Sequence, residues 1–254
     1  MATLLGAFHM HSDYSHDGLD SLEQLREISI QRGIGWIGLT DHAEDLDAEI
    51  FGEYVRHCAA LSDGTFRYEP GLEFRFAGLR GMHLLALGVR EWMTPTTPEE
   101  FFDQAAERAR FTILAHPVLC KYAPPRVVRD RIDAIEVWNT NYNTRYLPDP
   151  RAIDLYHEIA SARPAVVATV GLDQHDSRND REVRTAFDES VGSDPIAALR
   201  AGRYTNVGRG LTFDSRATIA PGAMRSLRVR RGALDAVNRV HDRVMVAARR
   251  LGIA

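Results

Sequence analysis

The sequence predicts an α/β fold built as a single barrel of parallel strands. Three observations carry that reading. Short β-branched or aliphatic runs alternate with amphipathic stretches, the signature of repeated βα units. The 254-residue length matches the roughly 250 residues that such barrels occupy as one domain. Nearly every strand candidate also ends in a histidine or a carboxylate, as it would if the strand ends converged on one face.

In chain order the strand candidates are residues 3–10, 35–41, 66–74, 82–89, 111–115, 133–138 and 165–172. The first helix is predicted over about 22–32: Ser21 and Gln24 fit a capping box, Leu22, Leu25 and Ile28 recur at helical spacing, and Gly33 closes the end. Further helices are predicted near 47–61, 97–109, 150–162 and 194–201, where Pro98, Pro150 and Pro195 stand near a start and a missing N–H does no harm. A last one near 232–251 keeps Leu234, Val237, Val240, Val244 and Leu251 on one face, so packing against the body is expected. The stretch 205–225 is rich in Gly, Arg and Thr without clear periodicity. One domain over 1–254 is expected, with a basic helical segment at about 226–254.

With 44% hydrophobic and 26% charged residues, the chain can bury a sizeable core, which excludes a disordered polypeptide. Cys58 and Cys120 lack CxxC spacing. The N-terminus has no basic leader, and no apolar run approaches the roughly 20 residues that span a bilayer. A soluble cytoplasmic protein is the expectation. The net charge of −4 hides an asymmetry, because residues 199–254 hold 12 Arg against 3 Asp while the remainder is acidic. The expectation is an Arg-rich helix docked on an acidic body, and the overall charge disfavours a nucleic-acid partner.

The chemistry sits at the strand ends. The first ends in FHMHSDYSHDG, where His9 and His11, two apart, project from the same face of an extended chain and can chelate one metal. Asp17 precedes Gly18, which lets the loop fold back toward the histidines. Later ends supply Asp41 and His42 (LTDH), Glu73 (GLE), His83 (GMHLLALG), His116 (AHP), Glu136 and Asn139 (IEVWN), and Asp173 and His175 (GLDQH). Imidazoles and carboxylates without thiolates suit zinc, manganese or iron. Arg75, Lys121, Arg145 and Arg178 follow strand ends and are candidate phosphate donors; Asn139 is a candidate for positioning substrate.

The ordered set HMHSDYSHDG, LTDH, GLE, MHLLALG, AHP and GLDQH resembles the PHP superfamily, the polymerase and histidinol phosphatase fold, across roughly residues 7–206. Ser12 stands where the family commonly has Thr, and GLDQH replaces Gly-Ser-Asp-Ala-His. The resemblance implies a distorted seven-stranded TIM-like barrel and two to three divalent ions. It implies that His9, His11, Glu73 and Asp173 hold one ion, that Glu73, His83 and His116 hold a second with Glu73 bridging, and that Asp17, His42 and His175 hold a third. His16 rivals Asp17, whose position and following glycine fit the family pattern better. Asp41 is expected either to orient a ligand imidazole or to cap a loop. The implied activity is hydrolysis of a small phosphorylated substrate by a metal-bridging hydroxide, with Glu73, Asp173 and Arg145 in catalytic roles and Arg75, Asn139, Arg145 and Arg178 binding substrate. Phosphodiester or nucleotide hydrolysis, amide or carboxylic ester hydrolysis and a non-catalytic metal-binding module are the alternatives.

Overall fold

The structure, a computed structural model, describes residues 3–79, 81–142, 146–179, 181–188 and 194–250, with side chains in the last stretch described for 194–237 and 245. The chain divides into two compact units, Met1–Thr218 and Ile219–Ala254.

The described strands of the first unit are β1 (Leu4–Met10), β2 (Ile34–Leu39), β3 (Asp41–His42), β4 (Arg67–Glu69), β5 (Gly71–Arg75), β6 (His83–Leu87), β7 (Phe111–Ala115), β8 (Ala134–Asn139), β9 (Val167–Gly171), β10 (Val183–Phe187), β11 (Tyr204–Gly208) and β12 (Leu211–Asp214). They form two six-stranded sheets, ordered β12-β11-β10-β1-β2-β4 and β3-β5-β6-β7-β8-β9. The fold is mixed α/β. Two predicted strands are each split between the sheets: β2 passes to β3 at Thr40, and β4 passes to β5 at Pro70, which has no N–H for a ladder. Beyond β9, Leu172 donates its N–H to Phe8 O at 3.0 Å and His11 donates to Gln174 O at 2.9 Å, so the end of β9 runs beside the end of β1.

The helices of this unit are α1 (Leu22–Gln31), α2 (Ala48–Ala60), α3 (Pro98–Arg108), α4 (Arg126–Arg131), α5 (Pro150–Ala162) and α6 (Pro195–Ala201). Both hydrogen bonds of the Ser21/Gln24 capping box are present, and Asp47, Thr97, Asp149 and Asp194 cap α2, α3, α5 and α6 with their side chains. The short α4 has no strong apolar period and was not predicted. Beneath the strand ends Phe8, Trp36, Leu85, Leu87, Phe111, Ile113, Phe187 and Tyr204 pack into one buried cluster. Truncating the fully buried Trp36 to alanine would cost about 3–5 kcal/mol.

The strands are not all parallel, which corrects the sequence expectation. β6 runs antiparallel to both β5 and β7, because the short link over residues 76–82 cannot make the dozen-residue crossover that a parallel pair needs. β10, β11 and β12 add an antiparallel meander to β1. The β11–β12 turn places Arg209 and Gly210 at φ 48° and 76°, the left-handed pair that a tight hairpin requires. Residues 205–225 therefore hold two strands and a helix start rather than an irregular segment.

In the second unit one helix, α7 (Pro221–Arg250), begins well before residue 232. Val237, expected on a buried face, is 64% exposed. The side chains of Val240, Val244 and Leu251 lie outside the described residues.

Candidate metal centre

His9 stands in β1 and His11 just beyond it, both fully buried. They do not meet by simple strand alternation. His9 is left-handed at φ 58°, and the register of β1 against β2 slips between Phe8 and Met10, so a bulge aims the pair. His116 (φ 24°) and Asp173 (φ 49°) are left-handed too. Three donor residues thus hold strained non-glycine backbone, kept in place by the surrounding contacts.

β3 and β5 pair His42 with Glu73. The Glu73 carboxylate is the hub: Oε2 lies 3.7 Å from His9 Nε2, 3.4 Å from His11 Nε2 and 3.3 Å from His42 Nδ1, while Oε1 lies 3.3 Å from His116 Nε2 and 2.5 Å from His83 Nδ1. His83 opens β6 instead of closing it. The strand is reversed, so its first residue reaches the rim that the other strands reach with their last. Asp173 Oδ1 is 3.6 Å from both His9 Nε2 and His11 Nε2. Asp17 Oδ2 is 3.4 Å from His42 Nε2 and 3.2 Å from His175 Nε2. The loop folds back at Gly18, where a Cβ would lie 1.9 Å from Ser12 O. His16 turns aside, with Nδ1 2.7 Å from Asp45 Oδ2 and its side chain 57% exposed.

Three groups have ligand atoms within 4.8 Å of one another: His11, Asp17, His42 and His175; His9, Glu73 and His116; and His9, His11 and Asp173. A divalent ion fits these donors. Among the described residues, His9 Nε2, both ring nitrogens of His11, His42 Nδ1, His116 Nδ1 and Asp17 Oδ1 are buried without a hydrogen-bond partner, an arrangement that costs free energy unless something satisfies the atoms. Imidazole–carboxylate separations of 3.2–3.7 Å across the cluster suit atoms sharing one ion, since bonds of about 2.1 Å in tetrahedral geometry set ligands about 3.4 Å apart. Relative to the grouping that the resemblance implied, His11 also joins the Asp17 group, and His83 meets the hub carboxylate and the His116 ring without joining any of the three groups.

Electrostatics follows from burial and crowding. Burial opposes ionisation of Glu73 and Asp173, but the surrounding imidazoles outweigh it and hold both well below the ordinary carboxylate range. His42 and His175 are pushed down, by burial first and the charge of His11 second, and so stay neutral as donors must. His9 is raised: burial works against its proton, but Glu136 and Asp173 prevail.

Supporting groups complete the site. Glu136 lies at the sheet end without joining a donor group. Its Oε1 is 2.8 Å from His9 Nδ1, and its Oε2 accepts from His116 N at 2.7 Å and Asn139 Nδ2 at 2.8 Å. An Nδ1–H donated to Glu136 leaves His9 Nε2 free to face the hub. A Cβ at Gly171 would lie 1.6 Å from Glu136 Oε1, so the carboxylate fits only against glycine. Of the two roles expected of Asp41, the structure shows the loop cap. Asp41 accepts from Ser12 N, Ser12 Oγ and Ser15 Oγ at 2.7, 2.9 and 2.7 Å, and so ties down the loop instead of orienting an imidazole.

A cleft of about 510 Å³ opens over Asp17, Asp173 and His175, lined further by Thr140, Asn141 and Arg181. Asn139 Nδ2 reaches Asp173 Oδ2 at 3.3 Å. Arg75 is ion-paired with Glu44, and Arg178 makes a bidentate pair with Asp176. Lys121 is absent from the cleft lining, and Arg145 lies outside the described residues. Sequence reading passed over Arg181, which had no strand-end position to mark it, and the anchoring role of Glu136.

Comparison with known proteins agrees with this geometry. The PHP domain model matches residues 7–116. A relative from Thermotoga maritima, named "Probable histidinol-phosphatase", is 24% identical over 200 residues, covering 67% of this chain and 84% of its own. These two matches support membership of the PHP superfamily. The PHP match takes in His9, His11, Asp17, His42, Glu73, His83 and His116, while Asp173 and His175 lie beyond it and reach the group through β9. The crystal structure of PsfC from Pseudomonas syringae PB-5123 has a similar fold, with TM-score 0.59 at 17% identity over 92% of this chain and 100% of that one.

Proposed function

We propose that this chain is a metal-dependent phosphoesterase that hydrolyses a small phosphate ester at a trinuclear centre. The carrying observation is the set of buried, unpartnered histidine and carboxylate atoms around Glu73, and the PHP domain match together with the phosphatase relative supports the bond type. His9, His11, Glu73, His116 and Asp173 would hold the inner ions, with His83 on the bridging carboxylate, and Asp17, His42 and His175 the outer one. Divalent ions there would supply Lewis acidity and make water a nucleophile near neutral pH.

The chain's own groups do the rest. Asp173 stands both in the donor cluster and on the cleft wall, and Asn139 donates to it and orients it. Glu136 holds His9 so that its free nitrogen faces inward. Thr140, Asn141 and Arg181 line the cleft beside these groups. The same reading takes the strands of both sheets as a distorted seven-stranded barrel with added edge strands. The enzyme would be cytoplasmic, which the free thiols of Cys58 and Cys120 support. No helix of the described residues is long and apolar enough to cross a membrane.

The test is protein purified without chelator, analysed for metal and assayed on p-nitrophenyl phosphate, its bis-ester, histidinol phosphate and a carboxylic ester. Two to three ions per chain with metal-dependent monoester turnover is the expected result. Preference for the bis-ester would make it a diesterase; turnover of only the carboxylic ester would overturn the reading.

A further inference from the structure

We infer that the cleft carries a second anion-binding subsite, Arg181 and Arg209 gathered on the ring of Tyr146, which selects phosphate esters whose organic portion ends in another anionic group. The inference rests on the phosphoesterase reading and adds the substrate class. A cleft of about 510 Å³ is of the size that holds a whole small organic ligand, so the wall away from the metal donors faces the organic portion. That wall contains Arg181. Its Nη1 donates to Tyr146 Oη at 3.3 Å and its guanidinium carbon lies 5.4 Å from the ring centroid; the guanidinium carbon of Arg209 lies 4.7 Å from the same centroid.

Neither guanidinium meets a carboxylate among the described residues. Other arginines do: Arg178 is held by Asp176, Arg75 by Glu44 and Arg110 by Asp194. A ring face holds a guanidinium by its charge and leaves most N–H donors unspent. Two such groups against one exposed ring put two cationic donors within reach of a single carboxylate or phosphate that binds beside it, with Arg209 carried on the tight β11–β12 turn. An ammonium-bearing tail would meet the same charges as repulsion.

The test compares three phosphate monoesters on the metal-loaded protein: phosphoglycolate with an anionic tail, glycerol phosphate with a neutral one and phosphoethanolamine with a cationic one. The expected kcat/KM falls in that order, by about tenfold or more from first to last. Arg181→Ala and Arg209→Ala should each compress the ratio of the first to the second severalfold, through KM of the anionic ester. Calorimetric titration with phosphoglycolate and with inorganic phosphate supplies a readout free of turnover, and the variants should erase the preference for phosphoglycolate. Equal loss on all three esters, or no wild-type preference for the anionic tail in either measurement, would overturn the subsite. Tight, arginine-dependent phosphoglycolate binding without turnover of any ester would keep the subsite and overturn the phosphoesterase reading instead.

Discussion

The two sides of the donor cluster are built differently. On the inner side, His9, Glu73, His116 and Asp173 are at most 6% exposed, stand in or directly after strands and are backed by Glu136. On the outer side the side chains of Asp17 and His175 are 40% and 23% exposed. Their loop is held by polar contacts: Asp41 takes three hydrogen bonds from Ser12 and Ser15, Asp20 takes two from Ser177, and Leu19 N donates to His175 O. Strand register makes the inner donors rigid, whereas the outer ones depend on bonds worth roughly 0.5–3 kcal/mol each. The inner side should therefore keep its ions when the outer side is disturbed, but not the reverse.

The sharpest way to break that contrast is Glu73→Gln, which touches both sides through His9, His11 and His42. It should lower kcat/KM on the order of 10³-fold, about 4 kcal/mol of transition-state stabilisation, with loss of most bound metal in elemental analysis. Chelation comes next. Ions at a thousandfold excess over their dissociation constants add about 4 kcal/mol to folding, so EDTA should lower the melting temperature by on the order of 10 °C in calorimetry.

Asp17→Asn should remove a single ion and reduce kcat on the order of 100-fold, as expected for loss of one electrostatic contact in the transition state, with the inner ions retained. Glu136→Gln should instead weaken inner metal affinity by about 10- to 100-fold, measured by competition with a chromogenic chelator. Equal metal loss in these two variants would erase the distinction between the sides. His16→Ala should change kcat by less than about twofold, because the ring is turned to Asp45 at the surface and surface substitutions of this kind carry small effects. A loss matching that of Asp17→Asn would return His16 to the donor set.

Much of this was legible in local patterns. The Ser21/Gln24 box, the prolines at the starts of α3, α5 and α6, and seven strand segments lie within short windows where propensity and periodicity act directly. The donors were legible for the same reason, since HxH, DH, HP and DQH each sit where a strand runs out. The β11–β12 hairpin escaped notice because its turn signal, Arg209-Gly210, lies among other Gly and Arg residues.

By itself the sequence determined which residue types reach the strand ends and where helices start, because those depend on neighbours a few positions away. Tertiary structure alone decided the reversal of β6, the bulge that aims His9, the separate tasks of Glu136 and Asp41, and which arginines are already paired. Strand direction depends on the partner available across the sheet. A carboxylate's role likewise depends on what faces it in space: Glu136 and His9 lie 127 positions apart in the chain, yet approach to 2.8 Å only after folding.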